Sequence, residues 1–155
     1  MKTRKIYFAA PLFTLAERRF NVEVASAIQS RIPTCRMILP QVVAVKYQGE
    51  RDFALKMFEN CLASIDTCDI VLAILDGADA DSGTCMEIGY AKANNKPIIG
   101  LRTDFRESEE RGLNIMIANA CRELLYLPST AIMFEVVADR ISDSISRVLT
   151  MAEQK

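Results

Sequence analysis

Histidine is absent from all 155 residues, and that single gap removes several chemistries. No His-dependent triad, His-ligated metal or imidazole acid–base step is available. Any reaction must fall to carboxylates, Tyr, Ser/Thr, Lys or Cys. The five cysteines (35, 61, 68, 85 and 121) form no Cys-x-x-Cys pair and are odd in number. That pattern argues against a zinc site or a disulfide framework and for reduced thiols in an intracellular protein. A basic stripe is also missing. The 19 basic and 20 acidic residues are spread along the chain for a net charge of -1, unlike a general nucleic-acid binder. No apolar run approaches the ~20 residues of a membrane span. The run 6–10, behind a basic start, is broken by Pro11 and too short for the apolar region of a secretory signal. A cytoplasmic location is the expectation.

What is present is a chain half hydrophobic, enough for one domain, 1–155, with a proper core. Strand patterns fall at residues 5–9, 36–39, 69–75, 97–101 and 123–127. Helical spacing predicts helices over about 14–31, 51–66, 83–95, 113–120 and 130–151. Leu15, Phe20, Val24 and Ile28 mark the inner face of the first. Leu55, Phe58, Leu62 and Ile65 mark that of the second, and Phe134, Val137, Ile141, Ile145 and Val148 that of the last. Residues 41–49 read as a loop, and 103–112 as an exposed, charged loop. Strands and helices alternate, which predicts βαβ units in an α/β fold: a doubly wound parallel sheet of about five strands. No internal repeat, linker or low-complexity segment interrupts it.

The densest chemistry follows the most apolar run, residues 70–75. There Asp76, Asp79 and Asp81 crowd a loop that opens into a helix carrying Glu87. Ligands of open α/β sheets sit outside the carboxyl ends of the strands, where this loop falls. Mutual repulsion of the carboxylates is a cost that function can justify. Thr84-x-x-Glu87 also has the spacing of a helix capping box, an ordinary structural use for Glu87. A carboxylate in a first helical turn is kept ionised by the helix dipole, which suits a nucleophile. Both possible EF-hand registers fail, because Ala78 and Ala80 or Thr84 occupy positions the loop cannot spare. Glycines 77, 83 and 89 match no phosphate-binding loop, so magnesium with a phosphate substrate stays conceivable but without a P-loop to hold it. Tyr7 should meet Glu87 if the first and third strands are neighbours. The same edge should collect Gln41 and Asp81. Cys61 and Cys85 have no Lys or Arg close by to activate a thiol and read as small buried hydrophobes.

Four segments in order carry a further signal: residues 7–13 (Tyr-Phe-Ala-Ala-Pro-Leu-Phe), Leu39-Pro40-Gln41, Asp81-Ser82-Gly83-Thr84-x-x-Glu87-Ile88-Gly89-Tyr90-Ala91, and Lys96-Pro97-x-x-Gly100-Leu101-Arg102-Thr103-Asp104-Phe105-Arg106. Together, from about residue 5 to 116, the chain resembles the nucleoside 2-deoxyribosyltransferases. The resemblance implies a flavodoxin-like fold and cofactor-free transfer of 2-deoxyribose between nucleobases, with deoxynucleosides and free bases as small-molecule partners. It implies Glu87 as nucleophile, Tyr7 as the residue that holds it, and Asp81 as the group that meets the base and passes it a proton. Phe13, Gln41 and Gly83 match substrate-binding positions. Asn114 and Met116 match an element that a neighbouring subunit donates to the sugar, so a homo-oligomer is implied. One position departs: Cys61 stands where the family usually has Asp. The alternatives are a hydrolase of deoxynucleoside 5-monophosphates, whose relatives carry serines at positions 81 and 114, and a non-catalytic nucleoside-binding module.

Overall fold

The most apolar segment of the chain becomes the centre of the sheet. Ile70–Ile74 (β3) is buried along its whole length, as a strand with helices on both faces must be. In the computed structural model, which describes residues 3–106, 113–129 and 131–153, β3 pairs in parallel with β1 (Arg4–Ala9) and β4 (Ile98–Arg102). The outer strands are β2 (Cys35–Ile38) and β5 (Glu123–Tyr126), in the order β2-β1-β3-β4-β5. This is the flavodoxin-like order, in which the chain changes direction between β1 and β3 and leaves a crevice at their carboxyl ends. No described helix is long and apolar enough to cross a membrane.

Alternation along the strands builds two cores. Ile6, Phe8, Leu72, Ile74, Ile99 and Leu101 face the helices α1 (Leu15–Arg31) and α6 (Phe134–Glu153). Tyr7, Ala9, Val71, Ala73 and Leu75 face α3 (Phe53–Thr67), α4 (Ser82–Ala93) and α5 (Ile115–Ala120). On this second face the register sets Ala9 beside Ala73 and Ala73 beside Gly100. The small Ala9 and Ala73 share one buried cluster with Ile88 and Ala91 of α4. A Cβ at Gly100 would stand 2.8 Å from both Cys121 Sγ and Leu75 Cδ1, so the packing there has no spare room.

Several expectations are corrected. Residues 40–47 are not a loop but a helix, α2 (Pro40–Tyr47), started by Pro40. Proline at the first helical position needs no amide partner and has its φ preset. Its valines and weak amphipathy hid it. Leu15, Leu55 and Phe58 do not point inward; all three are exposed, and Ile65 is the fully buried residue of α3. In α1 the first turn serves as a cap instead, with Thr14 and Glu17 making a reciprocal capping box. The last helix begins at Phe134, not 130; Val137, Ile141, Ile145 and Val148 are buried in it as predicted. Of the presumed loop 103–112, residues 107–112 lie outside the described residues.

Because a Cβ at Gly100 would press on Cys121, Leu75 and Leu124, Gly100→Ala should destabilise the fold by roughly 1–3 kcal/mol, the usual cost of overpacking. Urea denaturation measures this; an unchanged midpoint would show that the layer has slack.

Candidate active site

The adjacency of β1 and β3 brings together two residues 80 positions apart. Tyr7 projects from β1 into the α3–α4 layer and is buried. Its Oη donates to Glu87 Oε1 at 2.5 Å, the short length of a hydrogen bond to a charged acceptor. Burial dominates the electrostatics of the pair. It raises the Glu87 carboxyl to about 7, with the charge of Asp81 adding to the rise, while the Tyr7 and Cys61 hydrogen bonds pull the other way. Burial, then the neighbouring Glu87 charge, pushes Tyr7 far above the ordinary phenol range. Tyr7 is therefore a permanent donor here, and Glu87 a carboxyl that changes charge near neutrality.

Two readings of Glu87 are corrected by this geometry. Helix α4 is capped by Asp81, whose Oδ2 accepts from Thr84 N at 2.9 Å and Thr84 Oγ1 at 3.2 Å. Glu87 lies one turn further on and takes no part in a capping box. It is also not held ionised by the helix dipole, whose effect fades within the first turn; desolvation wins and raises its pKa. Asp81 sits where the dipole acts, with Oδ1 bearing no hydrogen bond among the described residues. A Cβ at Gly83 would lie 3.1 Å from Asp81 Oδ2, so the glycine keeps space around this carboxylate.

A network that the sequence reading missed fixes the loop leading to Asp81. Asp76 accepts from Thr103 N, Thr103 Oγ1 and Asp104 N, at 2.6, 2.6 and 2.9 Å. Arg102, completely buried, donates to the carbonyls of Leu75, Gly77 and Arg106. Asp104 accepts from Gly77 N at 3.0 Å, and its hydrogen bonds to Arg106 hold it well below the usual carboxylate range. Gly77 itself has φ +125°, and a Cβ there would meet Asp79 O at 2.7 Å. Only glycine fits such a backbone. The segment 102–106 is thus a brace between β3 and β4. Its signal was an Asp directly after one strand and Arg-Thr-Asp at the end of the next.

The remaining predicted residues lie apart from the pair. Gln41 turns its amide to α1, accepting from Asn21 Nδ2 at 3.0 Å and donating to Arg18 O at 2.9 Å. Phe13 is 71% exposed. Asn114 caps α5 by accepting from Met116 N at 2.9 Å, and Met116 is 77% exposed. No hydrogen bond among the described residues links either to Tyr7, Asp81 or Glu87 of the same chain. The thiols of Cys61 and Cys85 are raised, by burial first, and are not activated nucleophiles. No group of three or more Cys, Asp or Glu among the described residues is arranged to hold a metal ion.

A family model described as nucleoside 2-deoxyribosyltransferase matches residues 6–118. A nucleoside deoxyribosyltransferase of Limosilactobacillus fermentum is 28% identical over 126 residues, covering 74% of each chain. Among solved structures, a conserved protein from Enterococcus faecalis V583 superposes with a TM-score of 0.69 at 27% identity, covering 94% of this chain and 98% of that one. The 2-deoxyribosyltransferase of Bacillus psychrosaccharolyticus superposes with a TM-score of 0.67 at 21% identity, covering 89% and 90%.

The raised carboxyl makes a pH prediction. Folding favours protonated Glu87, so its contribution to stability is complete below the ordinary value of 4.5 and is lost as pH rises through about 7. Glu87→Gln, neutral throughout, should gain stability relative to the parent between those pH values. Chemical denaturation at pH 5 and pH 8 measures the difference; a constant gap would contradict a buried, protonatable Glu87.

Proposed function

Because the chain belongs to the nucleoside 2-deoxyribosyltransferase family, we propose that it moves 2-deoxyribose between nucleobases through a covalent ester on Glu87, with retention at the anomeric carbon. The observation that carries this reading is the Tyr7 Oη to Glu87 Oε1 hydrogen bond of 2.5 Å at the β1–β3 crevice, on the helix that Asp81 caps. One carboxylate oxygen is held by a permanent donor, and the other is available for attack.

The chemistry follows from charge and solvation. A 2-deoxyribosyl group lacks the electron-withdrawing 2-hydroxyl, so an oxocarbenium-like transition state at C1 is more easily reached. Glu87 Oε2 bonds to C1 as the C1–N bond breaks, from the face opposite the base, as in retaining glycosidases. Glu87 ionises by passing its proton to Asp81, and the departing base nitrogen takes that proton from the Asp81 carboxyl. A second base then attacks C1, the ester C–O bond breaks, and the acceptor's N–H proton returns to Asp81. Two displacements restore the original configuration. Desolvation assists twice: it makes the ionised Glu87 more basic than a surface carboxylate, and it favours the neutral ester over the charged form. No step needs a metal or organic cofactor.

Recognition of the sugar is proposed to need a second copy of the chain. Asn114, Ile115 and Met116 stand exposed at the start of α5, and Ile115 and Met116 are apolar, as expected of a surface covered by a neighbour. In this reading Asn114 and Met116 complete the partner's site rather than their own.

Incubation with a deoxynucleoside and a second free base, followed by mass spectrometry, tests the scheme. The expected result is base exchange and one deoxyribosyl unit on the peptide containing Glu87; Glu87→Ala should lose at least ~10³-fold in turnover, as when a nucleophile is removed. Release of free sugar from a deoxynucleoside monophosphate, without exchange, would instead identify a hydrolase. Binding without turnover would identify a sensing module. Dilution to the point where oligomers dissociate should abolish activity. A fully active monomer would remove the shared site.

A further inference from the structure

A polar side chain is buried beside the carboxyl edge of the sheet with no place in the scheme above. Asn21, in α1, is only 3% exposed, and a buried amide needs its hydrogen bonds answered. Its Nδ2 donates to Pro11 O and to Gln41 Oε1, both at 3.0 Å. The first contact reaches the loop after β1, the second the first turn of α2. Gln41 returns the link, donating from Nε2 to Arg18 O at 2.9 Å. The Arg18 guanidinium in turn donates to Leu12 O at 3.0 Å and Phe13 O at 2.8 Å. Arg18 and Asn21 stand three apart on one face of α1. The segments that follow two neighbouring strands, one carrying Phe13 and the other Gln41, are thereby fastened to a single helix.

These bonds also fix which way up the Gln41 amide lies. Turned end for end, it would set Nε2 against the Asn21 donor and Oε1 against the Arg18 carbonyl, and both contacts would be lost. An amide oxygen can accept twice and an amide nitrogen can donate twice. One site of each is spent on α1; the other of each stays open, and Gln41 is only partly buried. We propose that Asn21 is a positioning residue for base selectivity: by fixing the Gln41 amide, it decides which end offers an acceptor and which a donor to the nucleobase. This rests on the transferase reading, with Gln41 at the base. Adenine and hypoxanthine are nearly equal in shape. At N1 and C6, however, adenine offers an acceptor beside a donor, and hypoxanthine a donor beside an acceptor. Cytosine and uracil are related in the same way at N3 and C4. An amide held one way up suits one member of a pair and leaves the other with unanswered polar groups, which is costly in a closed site. An amide free to turn suits both. The Arg18 carbonyl is backbone and would be present with any residue there, so the side chain that makes the choice is Asn21.

Calorimetric titration with adenine, hypoxanthine, cytosine and uracil tests this without requiring turnover. The parent should prefer one member of at least one pair by ~10-fold, the worth of one unanswered polar group. Asn21→Ala should reduce that preference to about twofold or less, since nothing but the Arg18 carbonyl then orients the amide. Asn21→Asp, isosteric and at pH 8 an acceptor where the parent donates, should reverse it. Gln41→Ala should remove it, and Asn21→Ala added to Gln41→Ala should change nothing further. In base exchange the same order should appear in KM for the acceptor base, with kcat little changed because Tyr7 and Glu87 are untouched. A purely structural role for Asn21 would weaken all four bases alike. An Asn21→Ala or Asn21→Asp protein, folded by circular dichroism, that keeps the parent's preference would overturn the proposal. So would a parent that binds none of the four bases or does not discriminate within either pair. A preference that follows Asn21, with no base exchange by the parent, would leave the role of Asn21 standing and reject the transferase reading. Exchange that is indifferent to Asn21 would do the opposite.

Discussion

A carboxylate buried against a sheet destabilises a protein unless something nearby answers its polar atoms. In this chain the answer is the Tyr7 hydroxyl, 2.5 Å away on the neighbouring strand. Much of the architecture bears on that distance. Tyr7 must alternate to the α4 side of β1, β1 must lie beside β3, and α4 must come low over the sheet. The small residues Ala9 and Ala73 meet the last condition, in the same buried cluster as Ile88 and Ala91 of α4. The Asp76–Arg102–Asp104 brace then restrains the backbone that connects β3 to Asp81 and α4.

The electrostatic outcome is a compromise rather than a maximum. Full exposure would leave Glu87 ionised but weakly basic; full burial without donors would leave it protonated. Burial pushing the carboxyl upward against the hydrogen bonds pulling it down places its titration near neutrality. A group so poised is present in both protonation states close to neutral pH. The two acids of the site are also separated by environment. Asp81 lies at the helix N-terminus, where its Oδ2 is occupied by Thr84, and Glu87 lies a turn deeper, under the sheet edge. Two carboxyls of the same kind are thus set apart by their surroundings.

How legible this was depended on whether the signal was periodic or positional. The five strands and the buried runs of α6 were readable because their apolar residues repeat at the spacing the element requires. The helix at Pro40–Tyr47 was not, since its residues are neither amphipathic nor strong helix formers and only Pro40 marks its start. The inner face assigned to α3 was wrong at Leu55 and Phe58, which helical spacing permits but the surrounding layers do not cover. The motif drew attention to Glu87, and the structure places it buried against Tyr7. Its partner, its place in the helix and its charge state were another matter. Thr84-x-x-Glu87 spells a capping box, yet Asp81 caps the helix first and leaves Glu87 to Tyr7.

By itself, then, the sequence determined the alternation of strands and helices, the acidic loop after the central strand, and the absence of any imidazole. Those are local properties, set by residue type and spacing along the chain. Which carboxyl is desolvated and which tyrosine faces it were decided only by the tertiary structure. Desolvation and hydrogen bonding depend on distances in space between residues as far apart as 7 and 87, and spacing along a chain does not encode those distances.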